Sequence, residues 1–311
     1  MLTGFLGAGK TTLLNHILTS DHSQKIAVIV NEFGDIGIDD RLIKKNTNGI
    51  VELVNGCICC SVKNDTLQTM LQLIDEREEV KIFDRIVIET TGLANPIPFV
   101  AAFLSKPLLK KYYVLDGVIT LVDAAHILMQ LDTIPEVRPQ IAIANLIVLN
   151  KNDLVDSALL DSIESSLRYI NPVAKIKRTQ QANIDLSEIF SLQQFDAKSL
   201  LEITHLKAEH HHLDLSTLIL REEKPLSMDK VAFWIGSTIM MHAQNLLRYK
   251  GILSIAGKDE RMIFQGVHTH FENIFDQPWQ KEEKRISEVV LIGKNLDRAL
   301  FETSFKECKS E

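Results

Sequence analysis

Up to about residue 190 the chain alternates short, continuously apolar, β-branched runs with longer amphipathic stretches. The runs at 26–30, 82–88, 118–122 and 146–149 read as strands buried on both faces. Residues 10–18, 64–76, 96–104 and 157–170 carry apolar side chains at helical spacing. That alternation predicts an α/β fold, a mostly parallel sheet with helices on both faces. The pattern then changes. Residues 213–221 alternate like a half-exposed strand, and 228–247 read as one long amphipathic helix. Strand-like runs follow at 251–255, 262–267 and 287–292, with a short helix at 296–305. The expected organisation is one α/β domain over residues 1–192, a linker at 193–212 and a smaller α+β domain over residues 213–311.

The opening residues carry the most specific chemistry. Gly4-Phe5-Leu6-Gly7-Ala8-Gly9-Lys10-Thr11 fits G-x-x-x-x-G-K-[ST] and opens an amphipathic helix, the context a phosphate loop requires. Gly4, Gly7, Ala8 and Gly9 would let the backbone curl its N–H groups onto phosphate oxygens. Lys10 would place a charge on the β- and γ-phosphates and Thr11 a hydroxyl on Mg²⁺, with Thr12 next in the helix that points its positive end at the anion. A phosphate loop is normally fed by a strand of about 5–6 residues. Only Met1-Leu2-Thr3 precede this one, so roughly half a dozen residues are expected to be missing upstream.

Asn150-Lys151-Asn152-Asp153 follows the apolar run at 146–149 and matches N-K-x-D. The Asp153 carboxylate can accept from both N1–H and the N2 amino group of guanine, whereas adenine offers no such pair of donors. GTP and GDP are therefore the expected nucleotides. Glu89-Thr90-Thr91-Gly92 ends another apolar run: Glu89 suits a place near Mg²⁺ or its water, and Gly92 can bring a backbone N–H to the γ-phosphate. Lys10, Thr11 and Glu89 are the catalytic candidates.

Three of the four cysteines, Cys57, Cys59 and Cys60, lie within four residues. A secreted scaffold spreads its cysteines to close loops, so this cluster points to metal rather than to disulfides. Three thiolates suit a tetrahedral Zn²⁺ with one position left for exchange, and Co²⁺ or Ni²⁺ are also compatible. Glu32 and Asp35 are candidate oxygen ligands. His210 and His212, on one side of an extended chain, are candidate nitrogen ligands beside His205 and His211. Cys308, near the end, reads as a small buried side chain.

Composition narrows the partners. The net charge is −7 with no basic run, which argues against nucleic acid. No window approaches the ~18 apolar residues of a membrane span, and no secretory leader pattern opens the chain, so a cytoplasmic protein is expected.

With these residues in place, the sequence resembles the CobW/YjiA-type P-loop GTPases. The resemblance rests on residues 4–12, Asn31-Glu32-Phe33-Gly34, Gly56-Cys57-Ile58-Cys59-Cys60, Glu89-Thr90-Thr91-Gly92 and Asn150-Lys151-Asn152-Asp153. Leu247-Arg248-Tyr249-Lys250-Gly251 and Phe264-Gln265-Gly266-Val267 extend it into the second half. It implies a P-loop sheet domain followed by a CobW-like C-terminal domain, and a metallochaperone that binds Zn²⁺ through the cysteines. It further implies GTP-dependent delivery to a client metalloprotein, with homo-oligomers compatible. Val30 stands where some relatives carry a glutamate, so the metal site here must be completed differently. The same residues serve three rival readings: an ATP-using enzyme with structural zinc, a nucleotide-switched metal sensor or adaptor without delivery, and a thiol redox protein.

Overall fold

The computed structural model describes residues 1–21, 23–30, 51–54, 66–68, 70, 71, 74, 83–192 and 215–310. Two compact units are present: Met1–Ser165 with Ala174–Gln194, and Ser166–Val173 with Phe195–Glu311.

In the first unit seven strands form a parallel sheet. They are β1 (Leu2–Gly4), β2 (Ile26–Val30), β3 (Val51–Val54), β4 (Arg85–Glu89), β5 (Ile119–Asp123), β6 (Leu146–Asn150) and β7 (Lys175–Arg178), in the order β3-β2-β4-β1-β5-β6-β7. Successive side chains on a strand take opposite faces. On one face Leu2, Val28, Leu121 and Val148 pack with Leu13, Leu14, Ile17 and Leu18 of helix α1 (Lys10–Thr19). On the other, Thr120 Oγ1 donates to the Gln140 carbonyl at 2.6 Å. The strand order turns back on either side of β1, and parallel strands bring all their carboxyl ends to one edge. That edge is where an open α/β sheet binds its ligands.

The expected strands and helices of this unit appear within a few residues. Residues 66–68, 70, 71 and 74 of the predicted helix at 64–76 are helical, and the rest of it lies outside the described residues. The strand expected at 82–88 is β4, beginning at Arg85. Helix α2 (Ile97–Leu104) starts after Pro96, whose fixed φ suits a first turn. Next come α3 (Pro107–Tyr112), α4 (Ile127–Thr133), α5 (Val137–Ala142), α6 (Ser157–Ile170), whose residues from Ser166 on count with the second unit, and α7 (Leu186–Ile189).

The second unit holds an antiparallel five-stranded sheet: β8 (Ser216–Glu222), β9 (Leu246–Ser254), β10 (Glu260–Val267), β11 (His270–Pro278) and β12 (Ser287–Gly293), in the order β11-β10-β9-β12-β8. Helices α8 (Met228–Trp234) and α9 (Arg298–Lys306) close one face over Leu218, Tyr249, Phe264 and Leu291. Trp234 keys them together: its ring lies 5.2 Å from Phe305 and its Nε1 donates to Ser304 Oγ at 3.1 Å. Cys308 packs into the same core, and burial pushes its thiol up to about 11.

One expectation fails here. The helix predicted over 228–247 ends early. After Trp234 the chain widens into a π-helical turn, Ile235–Ile239, and strand β9 already starts at Leu246. Gly236, Ser237 and Thr238 are poor helix formers, and pairing of residues 246–254 between β10 and β12 offers their backbone a full ladder instead.

Glu288 on β12 is almost wholly buried. Its Oε2 accepts from Arg221 Nε at 2.9 Å, while Oε1 is buried with no hydrogen-bond partner. Burial pushes this carboxyl up, and the Arg221 charge offsets only part of that. A carboxyl raised on folding binds its proton more tightly in the native state. Stability therefore falls as pH rises from the ordinary glutamate value of about 4.3 through the raised native one. Glu288→Gln is expected to raise the Tm at pH 7, with the gain vanishing below about pH 4. Thermal unfolding across pH checks it, and an equal effect at both ends of the range would remove the ionisation argument.

Candidate nucleotide site

The phosphate loop connects β1 to α1 at the carboxyl edge of the sheet. Gly9 lies in the left-handed region at φ 110°, and a Cβ there would stand 2.5 Å from the Asn150 amide nitrogen. Only glycine satisfies both conditions. Lys10 turns back over the loop, its Nζ donating to the Gly4 and Phe5 carbonyls at 2.9 and 3.2 Å. The ammonium is thus held inside the curl where phosphate oxygens are expected.

Beside the loop, Thr11 Oγ1 donates to Glu89 Oε1 at 3.2 Å, joining the first turn of α1 to the end of β4. Thr90 fastens the same strand end to β1, its backbone N–H donating to the Leu2 carbonyl at 3.0 Å and its hydroxyl to Thr3 Oγ1 at 3.0 Å. Gly92 then passes so close to the loop that a Cβ would meet the Leu6 nitrogen at 2.6 Å. From below, buried Gln140 of α5 donates to the Gly92 and Ala94 carbonyls at 3.1 and 3.0 Å. Sequence reasoning missed Gln140. Its only signal is a polar residue on the apolar side of a short helix.

The N-K-x-D segment lies across the loop. Asn150 is buried, with Nδ2 donating to the Ala8 carbonyl at 3.0 Å and Oδ1 accepting from the Ala182 backbone N–H at 2.8 Å. Both ends of its amide are engaged by protein, so Asn150 ties the phosphate loop to the loop after β7. That second loop, with Gln181 and Ala182 at φ 50° and 53°, was not singled out by sequence either. Lys151 sits at φ 60° with Nζ 2.7 Å from Asp123 Oδ2. Asp123, the last residue of β5, also bonds His126 Nδ1 at 3.0 Å and the Ala125 N–H at 3.0 Å. Burial pushes the Asp123 carboxyl up, but the bonds from Lys151, His126 and Ala125 outweigh it and hold it below the usual carboxylate range. Asp153, in the single 3₁₀ turn Asn152–Leu154, is exposed.

Asn150→Ala is expected to cost about 2–6 kcal/mol, because it strands the Ala8 carbonyl and the Ala182 N–H in a buried place, at about 1–3 kcal/mol each. Urea unfolding measures it. A cost below about 0.5 kcal/mol would show that the two loops do not depend on this amide.

This geometry agrees with the comparisons. Residues 1–178 match the CobW/HypB/UreG nucleotide-binding domain, and residues 215–309 match the cobalamin synthesis protein cobW C-terminal domain. The zinc chaperone YjiA of Escherichia coli (strain K12) is 38% identical over 311 residues, spanning 98% of this chain and 96% of that protein. The chain belongs to the CobW/HypB/UreG family of GTPases. Another member, zinc-regulated GTPase metalloprotein activator 1 of Schizosaccharomyces pombe (strain 972 / ATCC 24843), is 33% identical, over 96% of this chain and 82% of its own. The crystal structure of Zn(II)-bound YjiA GTPase from E. coli superposes with a TM-score of 0.79 at 34% identity, covering 99% of this chain and 98% of that one.

Within this family GTPase, the residues present suit Mg²⁺ with nucleotide. The Thr11 hydroxyl and Glu89 carboxylate are hard oxygen donors already in contact, beside a loop in which no Cβ fits at Gly9. Cys57, Cys59, Cys60, Glu32, Asp35, His210 and His212 lie outside the described residues, and among the described residues no group of three or more metal-ligating side chains occurs. A cavity of about 540 Å³ near Met1, Arg85 and Asp116 lies at the opposite, amino-terminal end of the strands and does not touch the site.

Proposed function

We propose that the chain is a cytoplasmic metallochaperone that hydrolyses GTP, holds Zn²⁺ on Cys57, Cys59 and Cys60, and hands the metal to a client protein. The observation that carries the reading is topological. Cys57 follows the carboxyl end of β3 by three residues, and β3 pairs with β2, which pairs with β4, whose last residue is Glu89. The thiols are thereby tethered by a short length of chain to the sheet edge that carries the phosphate loop, and the candidate switch segment, Asn31–Asn48, falls in the chain between β2 and β3. The zinc named for the related chaperone and activator, and the softness of three thiolates, favour Zn²⁺ over harder cations. The clustered thiols suit a reducing compartment.

In this mechanism Gly4, Gly7, Ala8, Gly9 and Thr12 cradle the phosphates, and Lys10 neutralises charge developing on the transferred phosphoryl group. Thr11 and Glu89 would hold Mg²⁺, which when bound would supply charge neutralisation to the phosphates. Gly92, fixed from below by Gln140, presents its backbone to the terminal phosphate. Asp153 reads guanine while Asp123 aims Lys151. The amide nitrogen of Gln140 is engaged by two carbonyls and cannot orient the attacking water. Intrinsic hydrolysis is expected to be slow, on the order of 10⁻⁴ to 10⁻² per second, until metal or client completes the site.

Zinc titration of wild type and Cys59→Ala, each with GDP and with a non-hydrolysable GTP analogue, tests the coupling. The expected result is a zinc affinity at least tenfold different between the two nucleotides in wild type, and lost with Cys59. Binding that ignores both the nucleotide and Cys59 would falsify the proposal.

A further inference from the structure

We propose that β11 is the interface of a two-fold dimer in which two copies of the second unit join edge to edge into one continuous sheet. β11 is an outermost strand, nine residues long, and among the described residues its ladder runs along its inner edge, to β10. Edge strands are normally protected against such joining by charged side chains, lysine above all, by proline, by a central bulge or by being short. Of these, residues 270–277 carry the charges of Glu272 and Asp276 alone. No lysine occurs there, Pro278 comes last, and the register shift against β10 lies beyond Ile274 and Phe275, between Glu260 and Met262. Instead the strand exposes Phe271, Ile274 and Phe275, with Ile274 57% accessible.

The sequence of the strand selects the register. Two copies related by a two-fold axis pair antiparallel about a residue that faces itself. An axis through Ile274 sets Glu272 against Asp276 of the other copy, a like-charge pair that disfavours joining. An axis through Asn273 removes the clash. It sets His270 opposite Asp276, Phe271 opposite Phe275 and Glu272 opposite Ile274, each occurring twice. Phe271, Asn273 and Phe275 share the sheet face of Phe264, whose ring centroid lies 6.2 Å from that of Phe271. The join therefore brings four phenylalanine rings together, Phe271 and Phe275 of each copy, beside an existing aromatic cluster, and cross-strand aromatic pairs are among the more favourable in sheets.

A residue on the axis meets its own copy at a Cα separation of about 4.5–5.5 Å, inside the range a disulfide spans. Asn273→Cys is expected to form a disulfide-linked dimer under mild oxidation, while Gln277→Cys, whose counterpart lies several residues away, is not. Wild type run alongside accounts for the native thiols. Light scattering of wild type is expected to give twice the chain mass at micromolar concentration. Phe275→Lys is expected to weaken the dimer at least tenfold while leaving thermal stability and basal GTP hydrolysis as in wild type. A monomeric wild type, equal cross-linking at 273 and 277, or a dimer indifferent to Phe275→Lys would each overturn the proposal.

Discussion

Replacing Lys10 with alanine is expected to lower single-turnover GTP hydrolysis by about 10²- to 10³-fold, the usual cost of deleting one preorganised charge or donor at the transferring group. The loop in this protein explains why the loss is large. The Lys10 ammonium is held by the Gly4 and Phe5 carbonyls, so it is in place before phosphate arrives and needs no reorganisation when charge develops. Alanine removes the charge and also leaves two carbonyls of the curl without their donor, which loosens the N–H groups aimed at the phosphates. Two measurements separate these effects. Loss of charge lowers the rate constant for phosphate release, whereas loosening of the loop lowers GDP affinity as well, since GDP uses the same backbone. Arginine at position 10 keeps the charge but cannot fold back to the same carbonyls, and its variant is expected to recover little. A Lys10→Ala rate within threefold of wild type would remove Lys10 from the catalytic group.

Much of this site could be read in the sequence because motif residues act through local geometry. A phosphate loop needs glycine where φ is positive, and Gly9 cannot be replaced without striking Asn150. The strands carrying the motifs were legible for the same reason: 26–30 and 146–149 are apolar on both faces, as strands in a covered parallel sheet must be. Residues whose role depends on distant partners were not legible. Gln140 looks like one polar residue in a helix, and its meaning appears only when the loop at Gly92 and Ala94 settles above it. Asp123 gave no signal because its partner Lys151 is 28 residues away, across a strand pairing. The long helix expected over 228–247 shows the other limit. Apolar residues at 231, 234, 235, 239 and 246 keep helical spacing, yet Leu246, Leu247 and Tyr249 pack better as part of β9. Periodicity in one segment cannot weigh a ladder formed with residues 261–266 and 288–293.

Asp153→Asn carries the second large effect, and it tests the nucleotide assignment rather than the chemistry of hydrolysis. A carboxylate presents two acceptors to the N1–H and N2 amino donors of guanine. Asparagine keeps one acceptor and turns the other into a donor that faces the amino group. Two charge-assisted bonds are lost or inverted at about 1.5–3 kcal/mol each, so GDP affinity is expected to fall about 10²- to 10⁴-fold. The fold should not suffer, because Asp153 is exposed in a single turn and the buried bonds of the segment belong to Asn150 and Lys151. Chemistry also predicts a gain that damage to the fold could not produce. Xanthine carries a carbonyl where guanine carries the N2 amino group, and the new asparagine donor meets it. Xanthosine diphosphate should therefore bind the variant better than GDP does, reversing the wild-type order. ADP serves as the control, since adenine has no donor pair and should bind neither protein well. If ADP competed with GDP on equal terms for wild type, the base would not be read at Asp153, and the ATP-using alternative would take precedence.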